Sequence, residues 1–140
     1  MARFCDPSED TLLRPVLRLY PRKDYRRFVE VPFACKKIDI LCIPRANGLP
    51  QVCIELKIKN WKVALWQASL NLQVAHESYV AIWHQYVHRV PRDLLMHYAV
   101  GLIVVHETKA TIATPCVRRD TIHRMGSLAQ VCATSECVSV

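Results

Sequence analysis

The sequence predicts an α/β fold, a mixed central sheet flanked by helices. Three observations carry the prediction. Strand-like runs with a period of two alternate with a helical run, residues 61–76, that lacks glycine and proline. Asn47-Gly48, a strong hairpin signal, separates two of the strand-like runs. A helix-length segment then precedes the next apolar run, which is the spacing of a crossover between parallel strands. The chain has 140 residues, 51% of them hydrophobic, and three glycines. These values fit a single domain, residues 1–140, and exclude extended disorder and collagen-like classes.

The elements follow in order. Asp6 or Ser8 can cap a helix starting near Glu9, with Leu12, Leu13, Val16 and Leu17 on its apolar face. Pro15 predicts a break or kink within it, and Pro21 ends the segment. Residues 28–34 read as a short strand, which Pro32 assigns to an edge or an end. Residues 37–43 form the next strand, with Ile38, Ile40 and Cys42 on one side and Asp39 and Leu41 on the other. Residues 51–58 complete a hairpin with it. Asn60 can cap the helix of residues 61–76, and residues 78–84 read as a buried strand. Pro91 opens a short helix reaching about residue 99. Strands at 101–105 and 110–114 follow, then a short helix at 118–125 and a weakly patterned tail.

Nineteen Lys and Arg against twelve Asp and Glu give a net charge of +7, which suits an anionic partner, commonly nucleic acid. Residues 31–62 hold six basic and two acidic side chains, more than half of the excess. The longest apolar run falls well short of the ~20 residues that span a bilayer. With no secretory signal at the start either, the expectation is a cytoplasmic protein with no membrane association. The cysteines, at 5, 35, 42, 53, 116, 132 and 137, show no CxxC or finger spacing, so buried reduced thiols are expected. Trp61, Trp66 and Trp83 are expected in the core, and the histidines in ordinary surface or core roles.

Chemistry concentrates in the hairpin. Asp39 lies mid-strand among apolar neighbours, and Glu55 and Lys57 share one face of the next strand. The turn places all three at comparable height. Two carboxylates with a main-chain carbonyl are a hard-oxygen environment for Mg²⁺. A lysine beside them can orient a water. The same residues also fit a cross-strand ion pair on a solvated face.

At these positions the sequence resembles the PD-(D/E)XK, or restriction-endonuclease-like, nuclease superfamily. Asp39 matches the first acid, and Glu55-Leu56-Lys57 matches the second motif across the turn. The helix after the motif is also in place, and the likeness covers roughly residues 9–105. Ile38 stands where the pattern has proline. The resemblance implies an αβββαβ core and hydrolysis of phosphodiester bonds in DNA. It implies Mg²⁺ or Mn²⁺ on Asp39, Glu55 and the Leu56 carbonyl, with Lys57 acting on water. It further matches Glu9 to an additional acid and Gln67, or alternatively Gln73, to a positioning glutamine. Arg22, Lys23, Arg26, Arg27, Lys36, Lys37, Lys59 and Lys62 are the expected contacts to the nucleic-acid backbone. A homodimer or a larger complex would supply specificity, because the chain is too short for a separate reading domain. The alternative is a nuclease-fold module without chemistry, binding nucleic acid or serving in a defence or repair complex.

Overall fold

The computed structural model describes residues 5–120 and Ile122. Six strands form one mixed sheet in sequence order, flanked by helices. The elements are α1 (Asp10–Leu17), β1 (Tyr25–Phe33), β2 (Lys36–Pro44), β3 (Val52–Lys57), α2 (Trp61–Asn71) and β4 (Glu77–Trp83). A 3₁₀ turn (His84–Arg89), α3 (Arg92–Tyr98), β5 (Gly101–His106) and β6 (Lys109–Thr114) complete the order. β1 and β3 each pair antiparallel with β2. β3, β4 and β5 are parallel, and β6 turns back along β5. The mixed sheet thus follows from a hairpin meander joined to two crossovers, one through α2, which the spacing predicts, and one through the 3₁₀ turn and α3. Among the described residues no helix is long and apolar enough to cross a membrane.

Two layers cover the sheet. On one face Leu12, Val16 and Leu17 of α1 pack with Ile40, Val52, Ile54, Tyr79, Ala81 and Ile103. On the other, Ala64, Leu65 and Ala68 of α2 pack with Val80, Ile82 and Leu95. α1 runs through Pro15 without the predicted break. A proline removes one N–H from the helix ladder, and here Leu12, Pro15, Val16 and Leu17 are all buried, so packing offsets the loss. α2 ends at Asn71, not near residue 76. Residues 118–120 are not helical, and the rest of the predicted helix at 118–125, save Ile122, lies outside the described residues, as do Cys132 and Cys137.

Two predicted placements change for a common reason. The strand reading puts Ile38 on the side of Ile40 and Cys42. In the fold Ile38 packs with Leu41, Phe28, Val31 and Phe33, while Ile40 and Cys42 join the α1 face. On β1 strict alternation would put Val29 with Val31 and Phe33, yet Phe28 packs with those two and Val29 is exposed. Both strands change phase at one register position. Glu30 lies there on β1, between the pairs Val29↔Ile40 and Val31↔Ile38, and Asp39 lies opposite. Glu30 has φ of 52°, a left-handed conformation that is uncommon for a side-chain-bearing residue. A local kink therefore interrupts strict alternation where the first acid sits.

Cys42 and Cys53 are fully buried, and burial pushes both thiols well above the usual range, which makes them inert core residues. Cys35, expected in the core, is exposed in the β1–β2 turn, and Cys5 is exposed as well. Trp66 also departs from its expected core position, being 56% exposed.

Gly101 allows a close approach between β4, β5 and β6. A Cβ there would collide with the Tyr79 ring and lie 2.7 Å from the Thr114 carbonyl oxygen. Tyr79 cannot swing away freely, because its hydroxyl donates to Glu77 and accepts from the Cys116 N–H at 3.1 Å. Gly101→Ala is expected to destabilise the fold by about 2 kcal/mol through overpacking. Chemical denaturation of the variant checks this, and an unchanged midpoint would show that the sheet yields there.

Candidate functional site

The carboxylates meet where the β2–β3 ladder ends. The pairing runs Cys42↔Val52, Leu41↔Cys53 and Ile40↔Ile54. Asp39 and Glu55 occupy the next position, and there side chains replace the backbone ladder. The Asp39 N–H donates to Glu55 Oε2 at 3.1 Å, and the Leu56 N–H donates to Asp39 Oδ2 at 2.7 Å. The strands are thus held together by two buried or half-buried carboxylates. Each satisfies an amide that would otherwise be orphaned.

Two lysines complete the cluster. Lys36 Nζ donates to Glu55 Oε1 at 3.0 Å, with the lysine side chain 7% exposed and the glutamate fully buried. Lys57 Nζ lies 3.1 Å from Glu9 Oε1, at the start of α1. Glu9, Asp10 and Leu13 line a small cavity of about 130 Å³ together with Val29, Glu30, Asp39 and Leu56. α1 therefore contributes acids to the same region of the sheet as the hairpin.

The electrostatics follow from burial. Burial pushes the Asp39 carboxyl above its ordinary range; the Leu56 N–H and the Lys57 and Lys36 charges pull it back, and Glu9 adds to the rise. Burial also raises Glu55, the Asp39 charge raises it further, and Lys36 opposes both. Two carboxylates desolvated side by side favour a cation between or beside them.

The donor set fits a hard divalent cation. Asp39 accepts the Leu56 N–H on Oδ2, and a strand residue projects its N–H and C=O the same way. The Leu56 carbonyl therefore faces the gap into which its N–H donates. Glu55 already holds a cation, the Lys36 ammonium. Among the described residues no group of three or more His, Cys, Asp or Glu is arranged around a common metal position. Mg²⁺ commonly takes one or two carboxylates and completes its shell with water and phosphate.

The remaining expected residues divide. Gln67 is half-buried on α2, and no hydrogen bond joins it to Asp39, Glu55 or Lys57 among the described residues. Arg27, expected on the backbone of a nucleic acid, is instead fully buried and donates to the Leu17 carbonyl at 3.3 Å. Its position on β1 points it into the fold. Lys36 likewise serves Glu55 and is not a free phosphate contact. Lys37, Lys59 and Lys62 are exposed near the carboxylate end. Arg22 and Lys23 are exposed, and Arg26 lies over the Phe28 ring at 5.1 Å. These three sit toward the other end of β1, where Tyr25 pairs with Pro44. At ~3.4 Å per residue that end is roughly 17 Å along the strand from the Asp39 level. Arg45, Arg118 and Arg119 line a larger cavity of about 680 Å³ there. The positive charge thus has two centres.

Glu30, Asp10 and the Lys36–Glu55 pair are absent from the sequence-derived site. The signal for Glu30 exists only once β1 and β2 are paired in register.

No family model matches the chain, and no curated protein does. A solved structure of a protein of unknown function from Silicibacter pomeroyi is similar in fold. It is 20% identical with a TM-score of 0.64, and the match covers 87% of this chain and 81% of that one.

Proposed function

We propose that the chain is a Mg²⁺-dependent nuclease of the restriction-endonuclease-like fold, hydrolysing phosphodiester bonds of DNA. The observation that carries the reading is the apposition of Asp39 and Glu55 at the open end of the β2–β3 ladder, with Lys57 two residues beyond. The element order α1-β1-β2-β3-α2-β4 agrees with an αβββαβ core. Asp39, Glu55 and the Leu56 carbonyl would hold the metal. Bound there, a divalent cation activates water and draws charge from the phosphate.

The chain's own groups do the rest. Glu9 holds the Lys57 ammonium at the mouth of the site, where it can orient a water and stabilise charge developing on the phosphate. Lys36 opposes the rise that burial imposes on the Glu55 carboxyl. Lys37, Lys59 and Lys62 present exposed charge to a polyanion on the same side. A homodimer would bring two such sites to one duplex.

One observation favours a second reading, a nuclease-fold module that binds nucleic acid without cutting it. Both Glu55 oxygens are already engaged, one by Lys36 and one by the Asp39 amide. If Lys36 does not yield to a metal, the site is a closed ion pair.

The test incubates the protein with linear, single-stranded and branched DNA, and with RNA, with Mg²⁺, Mn²⁺ or a chelator. Cleavage is expected only with metal, and Lys57→Ala is expected to lower it by roughly a hundredfold. Cleavage in the chelator, or full activity in Lys57→Ala, would overturn the assignment.

A further inference from the structure

α2 is apolar on both faces. Ala64, Leu65 and Ala68 are buried against β4 and α3, while Val63 is 40% and Trp66 56% exposed. Helices apolar all round are ordinarily covered on both sides. α3 extends the outer surface with Met96, 77% exposed, and Tyr98, 41% exposed. Between the two helices lies a shallow cleft of about 190 Å³ lined by Trp61, Lys62, Leu65, Trp66, Leu94 and Tyr98. Small-molecule pockets run to roughly 300–1,000 Å³. This one can receive the face of a flat ring but cannot enclose a ligand.

Its rim is cationic. Lys62 Nζ lies 5.6 Å from the Trp61 ring centre, and Lys59 Nζ and the Arg89 guanidinium lie 6.0 Å and 4.8 Å from the Tyr86 ring. Residues 59–66 and 84–98 together hold Lys59, Lys62, Arg89 and Arg92 against a single acid, Asp93. Asp6 also reaches this rim, meeting Lys59 at 3.7 Å and accepting from the Tyr86 hydroxyl. The strip starts beside the carboxylate site, since Lys59 follows Lys57 on the same connection into α2.

We infer that the α2–α3 face binds a single-stranded segment of nucleic acid, its bases stacking on Trp66 and Tyr98 and its phosphates meeting Lys59, Lys62, Arg89 and Arg92. Exposed aromatic rings interleaved with cations are how proteins hold unpaired bases, because every base offers a π-face regardless of sequence. Duplex DNA conceals those faces. A second copy of the chain would fit the apolar centre but would set the basic rim against an identical basic rim, which like charges oppose. The inference rests on the nuclease reading for its biological sense and names its substrate class: DNA with an unpaired segment next to the cut.

Binding is measured in chelator, so that no cleavage is needed, with a labelled single-stranded oligonucleotide and a duplex of equal length. Single-strand binding is expected to quench tryptophan fluorescence. Trp66→Ala is expected to weaken it about tenfold, Trp66→Phe to retain most of it, and duplex affinity to stay unchanged. Because Trp66 is exposed, the variants test binding and not folding. Equal single-strand affinity of Trp66→Ala and the parent protein overturns the inference. So does a dimer in sedimentation that Trp66→Ala disperses, which would assign the face to a second copy. A protein that binds single strands through Trp66 yet never cuts leaves this inference standing and sinks the nuclease reading. Cleavage with single-strand binding indifferent to Trp66 does the reverse.

Discussion

Asp39→Asn is expected to abolish metal-dependent cleavage and to stabilise the fold. The two effects have one origin. Burial raises both carboxyls across the gap between β2 and β3, and the Asp39 charge raises Glu55 further. An asparagine keeps an oxygen for the Leu56 N–H but removes one of the two like charges. The folded state then carries less repulsion at neutral pH, a gain of about 1 kcal/mol, typical of relieving an active-site strain. The same change takes away a negative ligand for the cation and leaves Glu55 alone to hold it. Loss of charge stabilisation aimed at the reacting phosphate lowers rates by roughly 10²–10³. Cleavage assays and chemical denaturation of one variant read both quantities. A variant that is less stable and still cuts would mean that the carboxylate is a structural clasp and nothing more.

The order of elements was legible because hydrophobic period and turn chemistry are local. Asn47-Gly48 marks the hairpin, and Gly48 adopts φ of 96° there. Pro91 sits at the start of α3 as its fixed φ favours. Asp39, Glu55 and Lys57 were legible as a cluster because strand alternation and one turn fix their relative heights. What stayed hidden depends on pairing between strands or on burial. The phase change at Glu30 and Asp39 is invisible in β2 alone, since strict alternation puts Ile38 with Ile40. Arg27 reads as one of four basic residues in a row of six, yet β1 turns it inward while its neighbours stay near the surface. Lys36 reads as strand-end solvation until β2 lies beside β3 and Glu55 comes within 3.0 Å.

Charge counting shows the same limit. Residues 31–62 carry most of the excess positive charge in the sequence. In space that segment spans the length of β2 and β3, so Arg45 lies at one end and Lys36, Lys37 and Lys59 toward the other. A run of charge along a hairpin therefore does not define a patch. The carboxylate end carries Lys36, Lys37, Lys57 and Lys59. The far end is dominated by arginines, three of which line the larger cavity.

Lys36 decides between an active site and a closed ion pair, and Lys36→Met gives the largest expected loss of stability. Removing the ammonium leaves Glu55 buried with only the Asp39 amide to stabilise its charge. Breaking a buried pair in this way costs about 3 kcal/mol at neutral pH. The pH dependence has a definite sign. Glu55 has a folded-state pKa above its ordinary value of 4.5. Between those two values the native state binds more protons than the unfolded chain, so stability falls as pH rises through that window. Lys36 lowers the Glu55 pKa, so its loss moves the upper edge of the window to higher pH. The variant should therefore approach the parent protein near pH 4 and fall behind it progressively toward neutrality. A divalent cation acts in the opposite sense, because it favours the ionised pair. If the metal takes the place of the ammonium on Glu55, Mg²⁺ or Mn²⁺ should restore much of the lost stability at neutral pH. The same salt should do little for Asp39→Asn. Thermal unfolding of the three proteins with and without metal reads this directly. Restoration by metal means that the site exchanges one cation for another and is built for chemistry. A deficit that metal leaves untouched means that Lys36 is the permanent partner of Glu55, and the fold is then a binding module.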